Sequence, residues 1–435
     1  MTTVKLAVRG SVETLSAADS RTLFDRSTSG DDAVRGRTSA IIRRVRAEGD
    51  AALLAFAHEF DGAVLHALEV PRADWDAALA ALDPAFRCAM ERSATNIRAV
   101  HEAFRPVASE MLTVDGVAIG RRPDPLARVG VYAPGGRAAY PSSLLMGAIP
   151  ARVAGVGEVI VCSPPTADGR PSAVLLAAAA IAGVDRLFAV GGAGAIAAMA
   201  YGTASVPAVD RIVGPGNAYV AEAKLQVSCV VAIDSPAGPS ELLVVADETA
   251  SPARIARELL AQAEHDPAAA VVLVTISESI ATAVIEGLGA RIEAEPRADV
   301  IRAAFAARGG VLLARSLADA IGFANRWAPE HLLLAIAGDQ RTGALASLRN
   351  AGTIFLDDGA SVAFGDYMSG ANHVLPTGGS ARAWSGLSTS DFVRWTTWQR
   401  IDRDAARALA RDTGAFADAE GLPAHATAAR SWMGA

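Results

Sequence analysis

The sequence predicts an α/β protein: two Rossmann-like parallel-sheet domains, preceded by an N-terminal helical region and followed by a helical C-terminal arm. Three observations carry that expectation. From about residue 128, short apolar runs alternate with segments of helical period, the mark of βαβ units whose parallel strands are buried on both faces. The alternation comes in two series, which implies two α/β domains with a cleft between them. Residues 1–127 and 381–435 hold no such series. The expected units are therefore 1–127, packed with the second α/β domain; 128–240, the first α/β domain; 241–380, the second; and 381–435, the arm.

The elements follow in order. In "TSAIIRRVRAEGDAALLAFAHEFDG" apolar residues recur at helical spacing and are interrupted at "EGD", which predicts two helices joined by a tight connection. "DPAFRCAMERSATNIRAVHEAFRP" predicts a longer helix that stops before Pro106. The first series runs through the strand "RVGVY" and its Pro-Gly-Gly turn, the helix in "SSLLMGAIPARVAGV", the strand "EVIVCSPP" and a helix at 172–182. "RLFAVGG", a helix from 195 and "DRIVGPGNAYVAEAKLQV" complete it. The second series comprises "ELLVVAD", helix 251–263, "AAVVLVTIS", a helix near 278–290, "GGVLLARS", a helix near 317–326, "EHLLLAI" and "GTIFLDD". Ligands of such sheets are expected beyond the carboxyl ends of the strands. After "TGGSARAWSG" the chain reads as helical only.

Composition narrows the function. A net charge of −7 and the lack of a basic stripe on any predicted helix argue against nucleic-acid and anionic-membrane partners. The N-terminus has no apolar signal segment, and the longest strongly apolar run, "AVLLAAAAIAGV", is too short to span a bilayer and ends in a turn. Cys88, Cys162 and Cys229 are far apart and never form CxxC. They suggest a reducing compartment without disulfides or a thiolate metal site, and each is expected as a small buried apolar side chain.

Four clusters could carry chemistry. Gly192, Gly194 and Ala197 fit G-x-G-x-x-A with Asp210 downstream, and "VGPGNAYV" offers a second glycine-rich turn with Asn217; either could cradle a nucleotide, or simply allow close helix–strand packing. "QAEHDP" ends a helix with Gln262 and His265 three apart, on one helical face. Asp366 and His373 share the glycine-rich "FGDYMSGANHVLPTGG", and Glu420 and His425 lie near the C-terminus. Nitrogen and oxygen donors without thiolate suit a catalytic Zn²⁺, although a solvated helix end or a capping arrangement would account for "QAEHDP" as well. In "WAPEHLLL", Glu330 and His331 are a potential general acid and base.

Taken together, "RVGVYAPGGRAAYPSSLLMGAIPARVAGV", "VGPGNAYVAEAKLQV", "AGPSELLVVAD", "QAEHDP", "APEHL", "GDYMSGANHVLPTGG" and "EGLPAH" resemble the histidinol dehydrogenase family, in order and over nearly the whole chain. The resemblance implies a cytoplasmic homodimer with one Zn²⁺ per subunit that uses NAD to oxidise L-histidinol through L-histidinal to L-histidine, its C-terminal arms exchanged between subunits. It implies zinc ligands at Gln262, His265, Asp366 and His425, and the acid/base pair Glu330 and His331. It further implies substrate contacts at Ser240, His373 and Glu420 besides Gln262, His265, His331, Asp366 and His425, and nucleotide contacts at Tyr132 and Asn217. By the same resemblance, 128–240 is the nucleotide-binding domain and 241–380 carries zinc and the acid/base pair. The chain departs from the family pattern at Gly194, where a nucleotide-contacting Gln is usual, at Leu225 for Arg, at Gly147 for Asn and at Ala371 for Pro. A relative with the same machinery acting on another small polar alcohol, such as a sulfonated diol, shares these motifs, and a non-catalytic zinc- or nucleotide-binding protein is the reading from another class.

Overall fold

The computed structural model describes residues 4–26, 31–114, 116–135, 139–235 and 238–434. Gly136–Ala138, beginning with the last residue of the Pro-Gly-Gly turn, and Pro236–Ala237, ending with the first residue of "AGPSE", lie outside the described residues.

The first series of apolar runs forms a five-stranded parallel sheet. Across it the strands are Arg186–Ala189, Glu158–Ser163, Arg128–Tyr132, Arg211–Val213 and Ala232–Ile233, so the local order is 3-2-1-4-5. The second series forms a six-stranded parallel sheet ordered Val8–Ser11, Gly309–Leu313, Ala270–Thr275, Glu241–Ala246, His331–Ala335 and Thr353–Leu356. Its last five strands repeat the 3-2-1-4-5 wiring, with an N-terminal strand added at one edge. Every residue of Glu241–Ala246 and Ala270–Thr275 is buried, which is why these strands read as continuous apolar runs and not as alternating ones. Among the described residues no helix is long and apolar enough to cross a membrane.

The "EGD" break is as expected: Asp32–Glu48 ends at Gly49, whose φ of 58° turns the chain into Asp50–Asp61. The packing of this region differs from expectation. Val8 and Leu23, from the first strand and the helix Ala17–Phe24, are buried in the core of the second sheet, with Val4, Leu6, Ala7, Val12, Leu15 and Phe24 packed partly against it. The helices that follow pack on the first domain: Ile42, Leu53 and Phe56 share a core with Ile160, and Trp75, Met90 and Ile97 share one with Val129 and Leu144. Helical periodicity marks a buried face without saying what covers it, so residues 32–103 were assigned to the wrong neighbour.

A three-stranded antiparallel sheet also departs from the sequence reading. Ser109–Val114 and Val117–Pro125 lie within the expected helical region, and Val393–Ile401 lies within the arm and pairs with Val117–Pro125 along its whole length. "VRWTTWQRI" is largely solvent-facing, so no run of buried residues announces it. The cysteine expectation holds only for Cys162; Cys88 and Cys229 are exposed, and all three are free.

One buried ion pair shapes the first sheet where its strand order reverses. Lys224, on the helix Ala218–Val227, pairs with Asp234 just beyond the last strand, and its Nζ donates to the Gly214 carbonyl at 2.8 Å. Asp234 Oδ2 accepts from Gly214 N at 2.7 Å. Gly214 has φ 113°, and a Cβ there would overlap the carbonyl oxygen of Tyr132. Gly214→Ala is expected to lower stability by about 2 kcal/mol or more through backbone strain alone, read from urea unfolding.

Candidate active site

The helix Leu317–Trp327 ends at Ala328, a non-glycine residue at φ 53°, and this left-handed turn delivers Pro329, Glu330 and His331 to the amino end of a central strand. Glu330 and His331 are both buried. Beside them starts the strand Glu241–Ala246, and the two strand beginnings exchange bonds. Glu330 Oε2 accepts from Glu241 N at 2.7 Å, and Glu241 Oε2 accepts from Glu330 N at 3.3 Å. The Glu241 carbonyl lies 3.0 Å from His331 Nδ1, which places the ring proton there and leaves the Nε2 lone pair free. Nε2 is buried without a hydrogen-bond partner, 3.6 Å from Asp366 Oδ1.

Glu241 is only 1% exposed and is itself held on all sides. Arg26 Nη1 reaches its Oε2 at 2.5 Å, and Gly378 N donates to its Oε1 at 2.7 Å. Arg26 also donates to the Trp327 carbonyl and lies over the Trp327 ring, 3.7 Å from its centroid. Burial pushes the Glu241 carboxyl up to about 7 against the pull of Arg26, and burial lowers the guanidinium to about 10. For His331, burial works to depress the imidazole, but the Glu330 and Asp366 carboxylates prevail and hold it well above its ordinary value.

Asp366 comes from the short helix Val362–Tyr367, which is fixed by the N-terminal helix Pro84–Ala103: Ser93 Oγ donates to the Tyr367 carbonyl at 2.6 Å and Asn96 Nδ2 to the Met368 carbonyl at 2.7 Å. Against the raising effect of burial, the nearby His331, with His373 and His265, keeps Asp366 below the usual carboxylate range. His373 Nδ1 donates to the Asp366 carbonyl at 2.9 Å, so its Nε2 accepts from Ser143 Oγ of the first domain at 3.3 Å. Burial holds His373 below the ordinary imidazole value. The helix Pro252–Ala263 stops two residues before His265, and a single further turn, His265 N to the Gln262 carbonyl at 3.4 Å, keeps the pair together. Gln262 is 3% exposed, yet its amide has no hydrogen-bond partner among the described residues.

Across the cleft, the carboxyl ends of the first sheet surround a cavity of about 400 Å³ that gathers Tyr132, Gly194 and Asn217. The Tyr132 hydroxyl accepts from Gly192 N at 3.1 Å, and burial pushes that phenol up to about 12. Asn217 caps its helix, with Oδ1 accepting from Tyr219 N and Val220 N, so only its NH₂ is free to meet a ligand. A Cβ on Gly194 would sit 3.3 Å from Leu53 and 3.4 Å from Phe56, and one on Gly147 would sit 2.7 Å from Val131, so both small residues are explained by close packing.

The sequence-derived residues thus fall into three groups. Glu330, His331, Asp366 and His373 meet in one cluster, with His265 near Asp366. Ser240 adjoins the cluster in sequence, directly before Glu241. Tyr132, Gly194 and Asn217 meet in the cavity. Glu420 and His425 lie exposed on the arm, and among the described residues no hydrogen bond or ion pair joins them to Gln262, His265 or Asp366. Nor do any three His, Cys, Asp or Glu side chains of the described residues come close enough to share a metal ion. In the first sheet a cavity opens at the carboxyl ends of the strands, where a ligand is expected. In the second sheet the cluster lies at the amino ends, because Glu330 precedes its strand and His331 opens it. Glu241 and Arg26 were missed; a charged residue opening the buried run "ELLVVAD" is the signal that such a strand needs a partner.

Two parallel α/β sheets, one with an acid–imidazole cluster at its amino ends and the other with a glycine-lined cavity at its carboxyl ends, define the class as an α/β enzyme. A model of the histidinol dehydrogenase family matches residues 24–432. The chain is 51% identical over 405 residues to the histidinol dehydrogenase of Halobacterium salinarum, covering 93% of this chain and 94% of that one. It is 43% identical over 421 residues to that of Methanosarcina barkeri, covering 97% and 96%. The crystal structure of histidinol dehydrogenase from Elizabethkingia anophelis aligns with a TM-score of 0.94 at 32% identity, over 99% of this chain and 98% of that chain. The chain belongs to the histidinol dehydrogenase family and is an oxidoreductase.

Arg26→Met leaves the Glu241 carboxylate buried without its cation and is expected to cost about 3–5 kcal/mol of stability. Combining it with Glu241→Gln should recover part of that loss, and denaturant unfolding of the two single variants and the double variant measures the coupling.

Proposed function

We propose that the chain oxidises L-histidinol through L-histidinal to L-histidine with NAD⁺ and a bound Zn²⁺. The observation that carries the proposal is the Glu330–His331 pair, aimed by Glu241 into a cleft with a nucleotide-sized cavity opposite. The names of the relatives support the substrate. NAD⁺ would supply the hydride acceptor, and Zn²⁺ a fixed positive centre for the substrate's nitrogen atoms.

The residues suit both groups. Gln262 on a buried helix end, His265 three residues on, and Asp366 near His265 are nitrogen and oxygen donors of the kind zinc takes. They leave a ligand to be found, and His425 of the partner subunit would provide it. The arm supports a dimer with exchanged C-termini: its helices Arg403–Ala419 and Pro423–Arg430 pack on each other and leave Phe416 74% exposed, with Leu409, Leu422, Trp432 and Met433 also open. Free cysteines and a biosynthetic role accord with the cytoplasm. Tyr132, the backbone at Gly192–Gly194 and the Asn217 amide would hold the nucleotide.

His331 takes the proton of the substrate hydroxyl at Nε2, the ring nitrogen that the Glu241 carbonyl leaves free. Its carboxylate neighbours make it the more basic for that task. Glu330 then draws a proton from water, which adds to the aldehyde to give the hydrate, and loss of a second hydride from the hydrate yields the acid. Glu420 of the partner subunit would balance the substrate ammonium, while Ser240 and His373 would line its path.

Purified protein given L-histidinol and NAD⁺ is expected to form about two NADH per substrate, as two successive dehydrogenations require. Activity should vanish with a chelator and return with zinc. Zinc-loaded protein that is silent on histidinol but active on another small polar alcohol would reassign the substrate.

Glu330→Gln alone should stop at the aldehyde and form no L-histidine, and His425→Ala alone should be inactive. Mixed subunits should recover about a quarter of wild-type activity if random pairing of two-fold dimers builds each site from both chains. Mixed dimers shown to form without recovery would reject the exchanged arm.

A further inference from the structure

Asp61 closes the helix Asp50–Asp61 and lines the cavity beside Pro164 and Gly191. Among the described residues nothing donates a hydrogen bond to its carboxylate, and burial pushes it up to about 6. In doubly wound nucleotide-binding sheets, the carboxylate that takes the adenosine ribose hydroxyls stands just past the second strand. Here that strand, Glu158–Ser163, runs directly into Pro164 and Pro165 and carries no acid there. Asp61 reaches the same place from another element: a Cβ on Gly191 would lie 2.7 Å from Pro164 Cβ and 3.5 Å from Asp61 Oδ2. Next to it, Ile41, Phe56 and Phe60 form an apolar wall, with the two Phe rings stacked at a centroid separation of 5.4 Å, suited to a flat base.

We propose that Asp61 accepts hydrogen bonds from the adenosine ribose hydroxyls of the dinucleotide and makes the cavity select NAD over its 2′-phosphorylated form. This rests on the NAD reading above. A 2′-phosphate carries up to about two negative charges. It would meet the Asp61 carboxylate directly; Arg37, on the Tyr219 hydroxyl, and Arg44, over the Phe56 ring, stand behind lining residues and not among them.

The test is equilibrium binding of NADH and of NADPH to the full-length wild type and to the Asp61→Asn and Asp61→Ser variants, read by nucleotide fluorescence. Wild type should prefer NADH. Each variant should bind NADH about tenfold or more weakly, and the NADH-to-NADPH preference should fall by at least about tenfold. Folded variants that keep the wild-type preference overturn the proposal. Should the variants not fold, wild-type binding of NADH is compared with that of its adenosine 2′-deoxy analogue: a loss of about tenfold supports the assignment and equal affinity overturns it. Wild-type protein that binds neither NADH nor NADPH overturns the nucleotide reading itself, and the role of Asp61 with it.

Discussion

A single carboxylate taken out of water ties the second domain's site together. Glu241 is reached by Arg26 from the N-terminal segment, by Gly378 from the loop after His373 and by the backbone of Glu330. Its own backbone returns two bonds, one to the Glu330 carboxylate and one to the His331 ring. Four chain segments, counting its own strand, therefore converge on one residue. Burying that charge is unfavourable unless every oxygen has a partner, and here each has. The arrangement fixes the Glu330 carboxylate and the His331 ring to the backbone of one neighbouring residue.

The two sheets share one wiring diagram but turn opposite ends to the cleft. The first presents its carboxyl ends, where glycines bring backbone close to a ligand. The second presents its amino ends, where Glu330 and His331 enter their strand from a helix C-terminus. The glycine-rich loop spans the gap: Asn372 Nδ2 donates to the Met146 carbonyl at 2.8 Å and His373 meets Ser143, both partners lying on the helix Pro141–Ala154. The loop that carries Asp366 thus answers to both domains and also to the N-terminal helix Pro84–Ala103.

Most of the architecture was legible in the sequence because buried parallel strands must be written as apolar runs, and because "EGD" and "FDG" mark helix ends with glycine at positive φ. What was lost follows from the same logic. Val393–Ile401 is too exposed to leave such a run, and the helices of residues 32–103 advertise a face without a partner. Spacing and loop composition paired Glu330 with His331 and Asp366 with His373, and only the resemblance joined the two pairs that the fold brings together. Arg26 has no local signature at all: its role exists only through Glu241, far along the chain. Asp61 looked like an ordinary helix end and becomes notable only when Pro164 and Gly191 are placed beside it. The cysteines show the limit of residue type as a guide, for burial belongs to positions and not to side chains.

The opposed sheets have an electrical consequence. Each peptide unit is a small dipole, and a helix sums them to about half a positive charge at its start and half a negative charge at its end. Pro141–Ala154, Gly192–Tyr201 and Ala218–Val227 follow strands of the first sheet and so point their starts at the cleft. Pro252–Ala263 and Leu317–Trp327 precede strands of the second sheet and point their ends at it. The gap is therefore polarised before any ligand enters, one wall drawing phosphate and the other drawing cations. Two molecules of opposite charge entering together would be sorted to their own sides by the backbone alone.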